Sequence, residues 1–166
     1  MPIPIYSIKN LQTSIGNGNK LYINKFDIHR GACYVFEGKM GSGKTTFLDI
    51  LYSRRRIKRG DIKFEEKDIY SYSTYEYQEQ IAVVPQKFRL PWGKVENYIF
   101  KTIRKYKHIK NPNNRLDEIS RKMKITHLLN RKISSLTPGE IRWIVLAAQI
   151  AADTKVLFID EYEQHL

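Results

Sequence analysis

Three short runs, residues 32–36, 81–84 and 156–159, are apolar at every position, as in strands covered on both faces. Residues 26–28 and the pair Ile62 and Phe64 alternate instead, and predict short strands with one buried face. Between residues 14 and 19, Ser-Ile-Gly-Asn-Gly-Asn is turn chemistry joining two N-terminal strands. Phe47, Leu48, Ile50 and Leu51 fall at helical spacing behind a glycine-rich loop over residues 38–43. From about residue 95 to 130 the pattern is helical, basic and poor in glycine, with a break at Asn-Pro-Asn-Asn, residues 111–114. Another helix begins near Gly139. Unalternating strands separated by helices predict an α/β fold with a mainly parallel sheet. Tyr70, Tyr72, Tyr75 and Tyr77 read as a local surface bias rather than a stacking platform.

Composition narrows the class. A chain of 166 residues predicts one domain, and hides roughly 70% of its unfolded surface. With 42% hydrophobic and 28% charged residues, disorder, collagen and a long coiled coil are excluded. No apolar run approaches the ~20 residues of a membrane span; the best, residues 141–152, is interrupted by Arg142 and Gln149. The N-terminus has neither the basic start nor the apolar stretch of a signal peptide. The single cysteine, Cys33, fits a reducing cytoplasm and is expected as a small buried core residue.

The net charge of +12 implies an anionic partner or a solvated basic face. Arg54, Arg55, Arg56, Lys58 and Arg59 form one cluster. A second runs from Lys101 to Lys132 and is opposed only by Asp117 and Glu118. Anionic lipid headgroups and plain solvation are the preferred readings of this charge, and nucleic acid is disfavoured.

The clearest chemistry lies at Gly38-Lys39-Met40-Gly41-Ser42-Gly43-Lys44-Thr45, which matches G-x-x-x-x-G-K-[ST], the Walker A pattern. The glycines allow the backbone to wrap round phosphate oxygens, and the amides of the loop and of the following helix, through Thr46, point at the anion. Lys44 is expected to reach the β- and γ-phosphates and Thr45 to give its hydroxyl to Mg²⁺. Asp160-Glu161 ends the apolar run 156–159, the Walker B arrangement. Asp160 is expected to hold the metal, and Glu161 to orient or deprotonate the attacking water. The two motifs lie far apart in sequence, so an insertion stands between them.

With these motifs, essentially the whole chain resembles the ATP-binding subunit of ABC transporters, most closely the cell-division (FtsE-like) and lipoprotein-export (LolD-like) subgroup. Ile81-Ala-Val-Val-Pro-Gln86 is similar to the family's Q-loop strand, with Gln86 as its metal- and water-sensing glutamine. Leu136-Thr-Pro-Gly-Glu140 sits where the family has its signature, and residues 161–166 occupy the start of the D-loop. The resemblance implies a P-loop NTPase fold of RecA-like core with an N-terminal antiparallel β-region, and a single domain over 1–166. Its core would be 1–94 and 136–166, its helical subdomain about 95–135, and the C-terminal part of the family domain would be missing. It implies ATP and Mg²⁺ as cofactors, the metal held by Thr45, Gln86 and Asp160, and catalysis by Glu161, Gln86 and Lys44. Thr137 and Gly139 would meet the nucleotide of a second subunit, in a homodimer or an ABC-type heterodimer. The membrane partner would be an integral permease-like subunit, which places this chain at the inner face of the cell membrane.

Thr137-Pro-Gly-Glu140 also predicts a helix start by itself, with Thr137 at N-cap, Pro138 at N1 and Glu140 completing a capping box. Several residues depart from the family pattern. Ile15 aligns with the aromatic residue that stacks on adenine, with Tyr6 and Tyr22 as ring-bearing alternatives. Pro138 replaces a signature glycine, Trp143 and Ala148 stand where the subgroup has arginines, and Tyr162 replaces a proline. The family's switch histidine has no equivalent, because His165 comes too early. The leading expectation is therefore an ATPase subunit driving a membrane partner. The alternatives are a nucleotide-binding module without turnover and a nucleic-acid-associated ABC protein.

Overall fold

The structure is a computed structural model that describes residues 3–15, 18–53, 55–57, 59–87 and 92–160. The chain folds as two compact units, Met1–Tyr77 and Gln78–Leu166.

The first unit is built on an antiparallel sheet. Strands β1 (Tyr6–Ser14) and β2 (Lys20–Ile28) form a hairpin whose register runs from Tyr6 opposite Ile28 to Ser14 opposite Lys20. Strands β3 (Arg59–Phe64) and β4 (Lys67–Asp68) complete the order β2-β1-β3-β4. Along β1 the buried positions are Tyr6, Ile8, Leu11 and Thr13, so the alternation slips by one residue after Ile8. The slip is a bulge: Asn10 takes φ 49°, and pairing with β3 shifts between Lys9 and Gln12. Opposite the bulge, Gly60 adopts φ +113°, and a Cβ there would lie 2.5 Å from the Asn10 carbonyl oxygen. Only glycine fits that position. Glu65 and Glu66, at φ 48° and 65°, turn β3 into β4 as a two-residue loop with both residues left-handed.

Helix α1 (Lys44–Ser53) buries Phe47, Leu48, Ile50 and Leu51, as its spacing predicts. Each such side chain contributes roughly 1.5–3 kcal/mol when fully buried. Tyr77, on the short helix α2 (Thr74–Gln78), is fully buried rather than a surface residue. Its hydroxyl donates to the Leu51 carbonyl at 2.7 Å and lies 2.6 Å from the Tyr6 hydroxyl. Phe64 packs on both rings, with centroids 5.0 Å from Tyr6 and 5.4 Å from Tyr77. The tyrosine therefore closes the core at the end of α1.

Residues 32–36 do not form the doubly covered strand that their composition predicts. They have no strand assignment, and Val35 is 72% exposed. Alternate side chains face inward instead: Tyr34 and Phe36 both pack on Phe26, with centroids 5.7 and 5.8 Å away. Cys33 points the other way and is exposed, contrary to the expectation of a buried thiol. An apolar run supplies side chains for two faces; here only one face is covered.

The second unit pairs β5 (Ile81–Val84) with β6 (Val156–Ile159) in parallel, Ile81 opposite Val156 and Val84 opposite Ile159. Strand β6 is less covered than its run predicts, with Leu157 36% and Ile159 38% exposed. The basic region divides into α3 (Val95–Ile103) and α4 (Pro112–Lys122), so the first break comes at Arg104, ahead of the predicted one. Val95, Ile99 and Ile103 make an i, i+4 stripe on α3, and Leu116 and Ile119 make an i, i+3 pair on α4. Both pack on Ile144, Ala147, Ala148 and Ala151 of α5 (Pro138–Ala151), whose small residues permit close approach. Arg115 reaches the C-terminal end of α5 and donates to the Ile150 and Ala151 carbonyls at 3.1 and 3.0 Å. A cation there satisfies orphan carbonyls and complements the helix dipole. Hydrogen bonds from Lys122 and Arg115 pull the Glu118 carboxyl down to about 2.

Candidate functional site: a phosphate loop and a capped helix

In the first unit, the loop over residues 38–43 runs into α1. The Phe36 ring packs on Phe47 at 5.2 Å, which anchors the chain before the loop to the helix after it. Within the loop, the Ser42 amide donates to the Lys39 carbonyl at 3.1 Å, and the Phe47 amide to the Gly43 carbonyl at 2.8 Å. Gly41 and Gly43 take φ +79° and +98°, which a side chain rarely allows. A Cβ on Gly38 would come 2.9 Å from Ser42 Oγ, and one on Gly43 would come 3.3 Å from two carbons of Ile15. Ile15 thus lies against the loop. Lys44 Nζ donates to the Gly38 and Lys39 carbonyls at 2.7 and 3.2 Å, which holds its ammonium over the loop. Thr45 and Thr46 follow in the first turn of α1. Met40 is 95% exposed. Of the two tyrosines considered beside Ile15, Tyr6 is fully buried and has no face to offer a base, whereas Tyr22 is exposed.

The second unit places Gln86 and Asp160 just beyond the C-terminal ends of two hydrogen-bonded parallel strands, where open α/β sheets bind ligands. Asp160 is 6% exposed, and its amide donates to the Val84 carbonyl at 3.0 Å. Glu161, Tyr162 and His165 lie outside the described residues.

The start of α5 is capped as its sequence predicts. The Glu140 amide donates to Thr137 Oγ1 at 3.3 Å, and Glu140 Oε2 accepts from the Thr137 amide at 2.7 Å. The Thr137 hydroxyl also donates to Oε2 at 3.0 Å. Pro138 occupies N1 and Gly139 follows. The cap carries one partner that sequence reasoning passes over: Arg131 Nη1 donates to Glu140 Oε1 at 2.8 Å, and Nη2 donates to the Ser135 carbonyl at 2.6 Å. The Thr137 amide and hydroxyl, then Arg131, hold the Glu140 carboxyl below the usual range. Arg131 was visible only as one basic residue among many, because it and Glu140 share no helix. Trp143 stands on α5 and donates from Nε1 to the Met123 carbonyl at 3.0 Å, at the end of α4.

The sequence profile of the ABC transporter family matches residues 22–163, which include the phosphate loop, β5, β6 and all of α5. The chain belongs to the ABC transporter family. It is an ATP-binding domain of that family and has its P-loop NTPase fold. It is 25% identical to the zinc import ATP-binding protein ZnuC of Rickettsia prowazekii, over 100% of this chain and 66% of that protein. It is 26% identical to the lipoprotein-releasing system ATP-binding protein LolD of Leptospira interrogans, over 93% of this chain and 68% of that protein. These near-equal identities do not separate a subgroup. Among solved structures, cbiO1 from Clostridium perfringens, part of the ABC transporter complex cbiONQ, superposes with a TM-score of 0.85. That match has 23% identity and covers 99% of this chain and 68% of that one. The chain thus spans about two thirds of the length of each of these three ABC relatives. Among the described residues, no helix is long and apolar enough to cross a membrane.

Proposed function

We propose that this chain binds MgATP and, paired with a second such subunit, couples ATP hydrolysis to an integral membrane permease-like partner. One observation carries the reading: a glycine loop in which Gly41 and Gly43 take positive φ and a Cβ on Gly38 or Gly43 would meet Ser42 or Ile15, with the Lys44 ammonium held over it at 2.7 and 3.2 Å from two loop carbonyls. That cradle suits a polyphosphate, because it offers donors and positive charge at close backbone approach. Family membership supports the rest.

The donors assigned to Mg²⁺ are the Thr45 hydroxyl in the first unit, and the Gln86 amide and Asp160 carboxylate in the second. They are all oxygen ligands, the set a hard cation takes. When bound, the ion neutralises charge on the phosphates. Lys44 and the loop amides orient the nucleotide and offset its charge, and Glu161 takes the role of orienting water. Such catalysis is positioning plus electrostatics, so each part counts. Thr137 and Gly139 are the residues offered to the phosphate of the second subunit, and Ile15 gives adenine an apolar contact. The proposed location is peripheral, at the inner face of the cell membrane.

The second reading, binding without turnover, draws on Pro138 at the signature, which removes one backbone donor. Single-turnover hydrolysis with protein in excess separates the two readings. Hydrolysis by the wild type, lost in Lys44→Ala and in Glu161→Gln, is the expected result. Nucleotide that binds and stays intact would contradict hydrolysis by this chain alone.

A further inference from the structure

Residues 32–36, which lead into the phosphate loop, belong to no strand, so no sheet ladder fixes the entry to the loop. Side chains hold it instead, and they converge on Phe26 of β2. The Phe26 ring meets Tyr34 at 5.7 Å and Phe36 at 5.8 Å on the entry, and Phe47 at 6.3 Å on α1, beyond the exit. All three contacts are edge-on, an arrangement that aromatic rings favour. Tyr34 adds a two-point latch. Its hydroxyl accepts from the His29 amide at 3.2 Å and donates to the Asp27 carbonyl at 3.4 Å, both at the C-terminal end of β2. At the turn end of the same hairpin, Ile15 and Leu21 stand 3.3 and 3.7 Å from where a Gly43 Cβ would lie. The β1–β2 hairpin therefore backs the loop at both of its ends.

We propose that Phe26, with Tyr34, is a positioning residue for nucleotide binding: it ties the entry and the exit of the phosphate loop to β2, and so keeps the loop in its phosphate-ready shape before nucleotide arrives. The inference rests on the loop reading above and adds to it two residues outside the Walker A pattern. A glycine-rich loop has much backbone freedom to lose. Unbraced, it spends part of its time in shapes whose amides do not converge, and apparent affinity falls by the fraction that stays competent. Leucine at position 26 keeps apolar bulk but presents no ring to its three partners, whereas tyrosine keeps the ring. A merely structural role makes a different prediction, because it lowers the thermal midpoint and leaves the affinity of the folded protein alone.

The test is calorimetric titration of the full chain with MgATP, well below the thermal midpoint of every protein compared. Wild type is set beside Phe26→Leu, Phe26→Tyr, Tyr34→Phe and Ile62→Val, with thermal midpoints measured alongside. Ile62, on β3, is 1% exposed, so Ile62→Val loosens the core of the same unit and serves as the control. Phe26→Leu is expected to bind MgATP about three- to tenfold more weakly, as the competent fraction of the loop falls to roughly 10–30%. Amides of residues 41–46 should exchange hydrogen faster in that variant without nucleotide. Tyr34→Phe should cost about twofold, the low end for one neutral hydrogen bond. Phe26→Tyr and Ile62→Val should bind as wild type does. Wild-type affinity in Phe26→Leu, or an equal loss in Phe26→Tyr or Ile62→Val, would overturn the inference. If Phe26→Leu fails to fold, Tyr34→Phe decides the matter, and unchanged affinity there overturns it. Wild-type chain that binds no MgATP would instead refute the loop reading, and this inference with it.

Discussion

Inside the first unit, the Tyr77 hydroxyl donates to the Leu51 carbonyl and thereby accepts from Tyr6. Both tyrosines are 0% exposed, and burial pushes the Tyr6 phenol well above its usual range. Tyr77→Phe removes the hydrogen bond to the buried Leu51 carbonyl and the one from Tyr6, at a cost of about 1–3 kcal/mol. Urea unfolding should show that loss at unchanged slope; a change below about 0.5 kcal/mol would contradict the assignment. At this scale the phosphate loop was legible, because Gly38 to Thr45 is a contiguous code whose spacing is its chemistry. Tyr77 was not, because a buried tyrosine is identified by partners such as Tyr6 and Leu51, far away in sequence. Arg131 escaped for the same reason. Its two acceptors, Glu140 and Ser135, give it no periodic signature.

Elements were legible where their ends carry local chemistry. Thr137-Pro-Gly-Glu140 predicted the start of α5 because capping needs only residues within one turn. The β3–β4 turn gave no such sign. Glu65 and Glu66 both take positive φ, where Asn-Gly is the usual pair. Glu66, at φ 65°, carries a side chain where none is needed for the conformation. Glu66→Gly should therefore stabilise the first unit by about 0.5–1 kcal/mol, the left-handed penalty less the added freedom of the unfolded chain. Chemical denaturation checks this, and a destabilisation of that size would contradict it. Residues 32–36 show the converse failure. Five apolar positions predicted a strand covered on both faces, but a strand also needs neighbours to pair with, and composition says nothing of those. The outcome is an irregular segment with Tyr34 and Phe36 packed and Val35 exposed.

At the scale of the molecule, the α/β class and the P-loop identity followed from motif order: glycine loop, glutamine after β5, capped helix, acidic strand end. The division into Met1–Tyr77 and Gln78–Leu166 was not legible, since no linker composition marks residue 77. The proposed function stands or falls with the loop at the head of α1 holding nucleotide phosphate through Lys44. Calorimetric titration of the 166-residue chain with MgATP, beside Lys44→Ala, tests it most directly. Saturation at one nucleotide per chain is expected, with affinity about tenfold to a hundredfold weaker in Lys44→Ala, the worth of one charge-assisted phosphate contact. No saturable binding, or equal binding by both proteins, would contradict it.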